Sequence, residues 1–190
     1  MTRDEILAKI AAGESLANAE LIEADLSYES LKGANLEGAD LSNAHLQNSN
    51  LEGANLRKAN LKGAFLFGCN LYKANLDEAD LSECNLQDSN LEGASLKRAR
   101  LYHVALLGSN LDGADLREAD LTRARMKRAS LAGARLDGAD LEGAHLERSN
   151  LKNTSFVRVK AGGASFTNAQ MEGTDFEGAD LEGATGIKSS

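Results

Sequence analysis

The sequence predicts an all-β solenoid, a square parallel β-helix preceded by one short α-helix, and two observations predict it. A large apolar residue stands at every fifth position from Leu16 to Leu181, with Ala161 as the single lapse. Polar residues of the same kind also recur every 20 residues. A fixed period over most of a chain indicates stacked units that bury their apolar faces only against one another.

The five-residue period determines the geometry of each unit. It fits neither a helix of 3.6 residues per turn nor a flat strand, whose side chains alternate. In the phrase Ala-(Asp/Asn)-Leu followed by two variable residues, the first three form an extended segment with the apolar side chains inward and the polar one outward. The last two form a turn, because all but two of the 18 glycines stand at the fifth position, where a type II turn needs a positive φ.

The number of sides in one coil follows from the 20-residue spacing of like residues. Asparagines recur at this spacing at Asn50, Asn70, Asn90 and Asn110. Twenty residues hold four five-residue sides, so we expect a square β-helix. It would have about eight and a half coils and a length of about 40 Å, at ~4.8 Å between stacked strands.

This repeat resembles that of the pentapeptide-repeat proteins, and the match covers residues 14 to 183. The resemblance implies a right-handed quadrilateral parallel β-helix with Leu or Phe at the centre of each unit and a small residue two positions earlier. It implies much less about function, since members of the family include topoisomerase-binding DNA mimics, effectors and proteins without an assigned role.

Three segments follow from these patterns: a capping helix over residues 1–13, the β-helix over residues 14–184, and a flexible tail over residues 185–190. Residues 157–163 break the repeat phrase, which predicts a bulge or a widened coil there.

The first segment has the pattern of a short amphipathic helix. Thr2 followed by Glu5 is a capping box, and Gly13 can end the helix. Its apolar residues Ile6 and Ile10 share one face. We expect this helix to cover the first coil, whose apolar end and strand edges would otherwise be open.

Composition favours a protein of the cytoplasm. The formal net charge is −8, which favours solubility and disfavours direct binding to nucleic acid. No stretch has the 18 or more apolar residues of a membrane span, and the first residues lack the pattern of a signal peptide. We therefore expect neither membrane nor nucleic-acid binding.

The pattern contains no catalytic, cofactor or metal site. His45 and His145 share a side but lie about five coils apart, and His103 is assigned to another side, so the three are not expected to form one site. Cys69 and Cys84 occupy inward positions and are interpreted as buried thiols. Outward carboxylates stack, but no loop supplies the six to eight oxygens of a calcium site. The sequence therefore predicts a protein that is not an enzyme.

Candidate partner contacts lie on the side that carries Leu66 and Leu106. Apolar residues occupy outward positions of this side where the pattern predicts polar ones, and basic residues follow. The predicted contacts are Phe65, Phe67, Leu107, Arg125, Lys127 and Arg128. In a second interpretation, the two phenylalanines only cover a neighbouring corner. The net charge of +5 over residues 95–135 predicts a basic middle of the rod; its alternative is an ordinary mixture of solvated charges.

The C-terminal end is a candidate for self-association. No helix follows the last coil, so the apolar side chains of that coil and its strand edge are expected to stay open. Two copies could meet there about a two-fold axis; in the alternative, the chain end folds over the coil and the protein stays a monomer. The residues predicted at this end are Phe166, Met171, Phe176 and Leu181.

Two hypotheses of function remain. The first is a non-enzymatic protein-interaction or scaffold module that presents rigid flat sides to an unidentified protein. The second follows from the resemblance: an acidic rod that imitates DNA, binds DNA gyrase and protects it from poisons such as quinolones. Net charge favours the second hypothesis, whereas the basic middle has the wrong sign for it.

Overall fold

The computed structural model describes residues 1–187 of the 190-residue chain. It begins with helix α1, Arg3–Ala11, and continues as coils of 20 residues. Within the described residues α1 is the only helix, as the sequence predicts. No helix in that part of the chain is long and apolar enough to cross a membrane.

Both ends of α1 carry the predicted caps. The Thr2 hydroxyl accepts a hydrogen bond from the Glu5 N–H at 3.3 Å, and the Glu5 carboxylate accepts one from the Thr2 N–H at 2.8 Å. Gly13 has φ +70°, and its N–H donates to the Ile10 carbonyl at 3.0 Å, as at the C′ position of a Schellman motif.

Helix α1 covers the first coil, as predicted. Ile6 is only 1% exposed, and Leu7 and Ile10 pack beside it on the core. The Arg3 guanidinium donates to the carboxylate of Glu29, which stands two positions before Leu31, where most units have a small residue. This contact ties the helix to the side of the rod.

The coils pair in parallel at a spacing of 20 residues. The outward residue of each side forms a bridge with the residue 20 positions later, from Glu20 with Asp40 to Ser165 with Thr185. The predicted parallel pairing and the four sides per coil are therefore confirmed. Each side of residues 1–187 holds a single bridge and no longer strand, because two of every five residues belong to a turn.

Three of the four sides are named here by their outward residues. The asparagine side carries the ladder that begins at Asn50: the Oδ1 of Asn50 accepts from the Glu52 N–H at 3.0 Å and from the Asn70 amide at 3.1 Å. The aspartate side carries Asp40, Asp80, Asp120, Asp140 and Asp180, with Asn60, Arg100 and Lys160 between them. The phenylalanine side carries, in its first outward column, His45, Phe65, Asn85, Ala105, Arg125 and His145.

The core is a stack of leucine and alanine layers along the axis, and its central residues from Leu26 to Phe166 are 0% exposed. Some small inward positions hold a hydroxyl or thiol instead of Ala. Most of these groups donate to the carbonyl 23 residues earlier, as Ser89 does to Leu66 at 2.6 Å and Cys84 does to Leu61 at 2.8 Å. Ser149 donates to Leu146 instead, and Ser49 contacts the Cys69 thiol. These polar groups are thus satisfied inside the core.

Each corner is a four-residue turn closed by one hydrogen bond, as from the Ala54 N–H to the Leu51 carbonyl at 3.0 Å. The fifth residue of every unit has a positive φ, for example +63° at Gly53 and +58° at Lys58. The positive φ predicted from the glycine positions is confirmed, but more than half of the corners adopt it with a residue other than glycine.

The predicted bulge at residues 157–163 is wrong. Lys160 forms a regular bridge with Asp180, and the Ala161 N–H donates to the Asp180 carbonyl at 2.8 Å. The rings of Phe156 and Phe166 flank Ala161 in sequence and pack edge to face, with centroids 5.9 Å apart. Larger neighbours on the adjoining sides thus fill the space that the missing leucine would take.

The C-terminal boundary also needs a correction. Thr185 forms a bridge with Ser165, so the β-helix extends one residue past the predicted end at 184. Ile187 packs against the core. The rest of the predicted tail, residues 188–190, lies outside the described residues.

Candidate partner-binding surface

Exposed apolar side chains gather on the phenylalanine side, where the sequence predicts partner contacts. Phe65 is 42% exposed, Phe67 41% and Leu107 39%. The Phe65 ring stacks on the His45 imidazole of the preceding coil at a centroid distance of 4.9 Å. Phe65 therefore packs along its own side of the rod and leaves the rest of its ring exposed.

The predicted basic contacts lie farther along the same side. Arg125 forms bridges with Ala105 in one neighbouring coil and His145 in the other. Lys127 stands two residues later and forms a salt bridge with Glu147 at 3.3 Å. Arg128 stands at the corner that follows. At ~4.8 Å per coil, three coils or about 14 Å separate Phe65 from Arg125, so the predicted contacts form one elongated surface.

Arginines with no acidic partner concentrate on this surface. Within residues 1–187, the side chains of Arg123, Arg125, Arg128 and Arg148 form no salt bridge, whereas sixteen salt bridges engage most of the other cations. Arg123 and Arg148 stand at the two corners that border the phenylalanine side. Neither is among the contacts predicted from the sequence, because a corner residue borders two sides and the sequence does not show which side it joins.

A recess of about 380 Å³ lies in the basic part of this side. Its lining includes His103 and His145, which the sequence placed on different sides. That separation is wrong: His103 stands at a corner, with φ +57°, and a corner residue borders two sides. His45 lies elsewhere along the rod and does not line the recess.

Glu147 contacts the basic cluster directly, through Lys127 and His145. Burial acts to raise the pKa of its carboxyl, but hydrogen bonds, including those from His145 and Lys127, outweigh burial and lower it. Glu147 therefore remains ionised and compensates Lys127, while Arg123 and Arg125 form no ion pair with any described carboxylate.

The described residues contain neither a metal site nor a reactive thiol. No group of three or more His, Cys, Asp or Glu side chains there could hold a metal ion. Cys69 and Cys84 are buried free thiols, as the sequence predicts. Burial raises the pKa of the Cys69 thiol and raises that of Cys84 to about 12, so neither is a thiolate at neutral pH.

The predicted self-association end is partly covered. Phe166 is fully buried, which contradicts its predicted exposure, because the Thr185 bridge closes the coil above it. Met171, Phe176 and Leu181 are half-buried and line a shallow depression together with Ile187.

Comparison with known proteins identifies a family model and several solved structures that are similar to this chain. The model of the family "Pentapeptide repeats" matches in 8 copies over residues 34–71, 74–112, 109–148 and 149–185. HetL, a pentapeptide repeat protein involved in heterocyst differentiation regulation in the cyanobacterium Nostoc sp. strain PCC 7120, is 31% identical; the match covers 97% of this chain and 96% of HetL, with a TM-score of 0.41.

Two further solved structures are less similar in sequence. Rfr23 of the cyanobacterium Cyanothece 51142 is 25% identical over 63% of this chain and 89% of its own, with a TM-score of 0.49. QnrB1, a plasmid-mediated fluoroquinolone resistance protein, is 18% identical over 82% and 90%, with a TM-score of 0.44. No curated protein matches the chain. Because the family model matches well over half of the residues, the chain belongs to the pentapeptide-repeat family.

Proposed function

We propose that this chain is a non-enzymatic protein-interaction module of the cytoplasm, built on a right-handed quadrilateral β-helix. Its partner is a protein, and it binds neither nucleic acid nor a membrane directly. The observation that carries the proposal is the phenylalanine side, where exposed aromatic and aliphatic side chains share one surface with arginines that have no acidic partner.

The physical case rests on what these side chains gain from a partner. Phe65, Phe67 and Leu107 leave apolar area in water that a partner would bury, at about 25 cal/mol per Å². Aromatic residues and arginine dominate the binding energy of many interfaces. The side is held by backbone pairing in every coil, so little ordering is needed on binding.

The charges indicate the sign of the partner surface. Arg125 and Arg128 carry positive charge that no described carboxylate neutralises, and an acidic partner surface would complement it. Complementary charge accelerates association more than it tightens it, and salt weakens this effect.

Affinity capture with the purified protein tests the proposal. We expect Phe65→Ser/Phe67→Ser and, separately, Arg125→Glu to abolish capture of a protein that wild type retains. Tyr72→Ser/Lys152→Glu, on the asparagine side, is the matched control and should capture it normally. Equal capture by all four proteins would place the contact elsewhere, and the absence of any retained protein would count against an interaction module.

DNA mimicry of the kind that binds gyrase is the second candidate, and the aspartate side favours it. Asp40, Asp80, Asp120, Asp140 and Asp180 lie along one face of the rod, in a column that Arg100 and Lys160 interrupt with salt bridges to Asp80 and Asp140. If this candidate is right, micromolar protein inhibits supercoiling by gyrase or protects gyrase from a fluoroquinolone, and Asp120→Asn/Asp140→Asn weakens the effect. An absence of both effects in wild type would eliminate the candidate.

A further inference from the structure

The recess on the phenylalanine side exists because small residues interrupt two columns of large ones. Arg125 pairs with Ala105 in the preceding coil, whose methyl group leaves space beside it. In the neighbouring corner column, Arg123 is followed one coil later by Gly143, which leaves a second gap. Together these gaps form the recess of about 380 Å³.

The lining of this recess is cationic. Arg123, Arg125, Lys127 and the two histidines His103 and His145 contribute to it, and none of its nine lining residues is acidic. Lys127 and His145 both contact Glu147, which lies outside the recess, at 3.3 Å. Arg123 and Arg125 form no salt bridge with any residue in the described part of the chain; the carboxylate on the adjoining recess is that of Glu83, which lines it together with Arg125. Two guanidinium groups are therefore free of direct ion pairs at one concavity.

We propose that this recess binds a phosphate monoester. Guanidinium groups present forked donors that match phosphate oxygens in pairs, and two positive charges free of direct ion pairs match a dianion better than a monocarboxylate. The volume exceeds that of a phosphate group and leaves room for the group to which the phosphate is esterified. Leu107 and Gln87 also line the recess and offer that group one apolar and one amide contact.

The three histidines of the chain allow a direct test. Imidazole signals are followed by ¹H–¹³C NMR while inorganic phosphate is added at constant pH and ionic strength. We expect saturable shifts of His103 and His145 and no shift of His45, which stacks on Phe65 outside the recess. Equal shifts of all three, or no shift at all, would overturn the proposal.

Variants separate a shaped site from general attraction to positive charge. Arg123→Gln/Arg125→Gln should weaken phosphate binding at least about tenfold, as expected for loss of charged hydrogen bonds. Ala105→Leu fills the recess without changing the net charge and should also abolish the shifts. Arg158 lies elsewhere on the rod and also forms no described salt bridge, so the Arg158→Gln variant should bind phosphate normally. An unchanged His45 signal verifies that each variant is folded. Normal binding by Ala105→Leu would refute a shaped site.

The source of the phosphate is distinguished by parallel titrations with a phosphoserine peptide and with adenosine monophosphate, and the tighter of the two identifies the physiological class. Acetate is the third titrant; binding of acetate as tight as that of phosphate would refute selectivity for phosphate. Because the signals report the recess alone, failure here leaves the proposed protein interaction intact, and failure of the affinity capture leaves the phosphate site intact.

Discussion

At the scale of single residues, side-chain direction decides the effect of a substitution more than residue type does. Leu91 is 0% exposed and Leu107 is 39% exposed. Leu91→Asp should prevent cooperative folding, because it buries a charge without a partner, whereas Leu107→Asp should change the free energy of unfolding by less than about 0.5 kcal/mol. Urea denaturation followed by circular dichroism measures both. A folded Leu91→Asp variant would contradict the inward assignment.

The two thiols should be unreactive in the folded protein. Cys69 and Cys84 are each about 1% exposed and donate to backbone carbonyls. We expect no reaction with a maleimide under native conditions and reaction of both thiols in denaturant, because burial raises their pKa and excludes the reagent. Rapid labelling of native protein would show that these coils open readily.

Acid should destabilise the rod through its outward carboxylates. The Ser27 hydroxyl and then the Ser27 N–H lower the pKa of Asp25, and a hydrogen bond from Arg98 lowers that of Glu118. A pKa lowered in the folded state gives stability that is present above the unfolded value of about 4 and is lost as the pH falls through the folded value. Thermal denaturation should give a Tm that is level from about pH 7 to 5 and falls below about pH 4, and Asp25→Asn should reduce the fall. A Tm that rises below pH 4 would contradict this assignment.

At the scale of the element, the corner is the repeated unit, and the free energy that its positive φ costs a residue other than glycine can be measured. Gly53 has φ +63° with nothing near the position of a Cβ atom, so Gly53→Ala should cost only backbone strain, about 1 kcal/mol. A Cβ at Gly186 would lie 2.4 Å from the Thr167 nitrogen, so Gly186→Ala should displace the last residues described. Chemical denaturation measures the first change. If Gly53→Ala lowered the free energy of unfolding by well over about 2 kcal/mol, the positive φ alone would not explain which residues a corner accepts.

The elements were largely predictable because each rests on a local rule repeated many times. The caps of α1 follow from Thr2 and Glu5, and the coil register follows from the five-residue period. The prediction failed at residues 157–163, where the pattern broke but the pairing did not. Ala161 leaves space in the core, and Phe156 and Phe166 fill it from the adjoining sides. These residues compensate across the coil, so the five-residue pattern of the sequence does not reveal the compensation.

At the scale of the whole molecule, the surface was only half predictable. Phe65 and Arg125 could be placed on one side because both are outward residues separated by a multiple of 20. Arg123 and His103 could not, because a corner residue borders two sides and its side chain must be located to know which it joins. Arg148 was missed for the same reason, and so the recess was found only in the structure.

The two ends of the rod differ, which predicts a dimer. Within the described residues, the N–H groups of Met171, Phe176 and Leu181 donate to no carbonyl, and their side chains are half-buried. We expect two copies to meet at this end about a two-fold axis. Light scattering should show a mass that falls from dimer to monomer on dilution, and Phe176→Asp should give a monomer. A monomer at all concentrations up to about 100 μM would exclude an association stronger than that Kd.

In such a dimer, we expect helix α1 to limit assembly. A β-helix has two complementary edges, and an uncovered rod could add further rods to both of them without limit, because a contact between unlike ends does not close. With Ile6 and Ile10 seated over the first coil, just one edge can grow, and growth through one edge ends at two molecules. If the predicted dimer forms, we expect removal of the nine residues of α1 to convert the protein into filaments visible by electron microscopy.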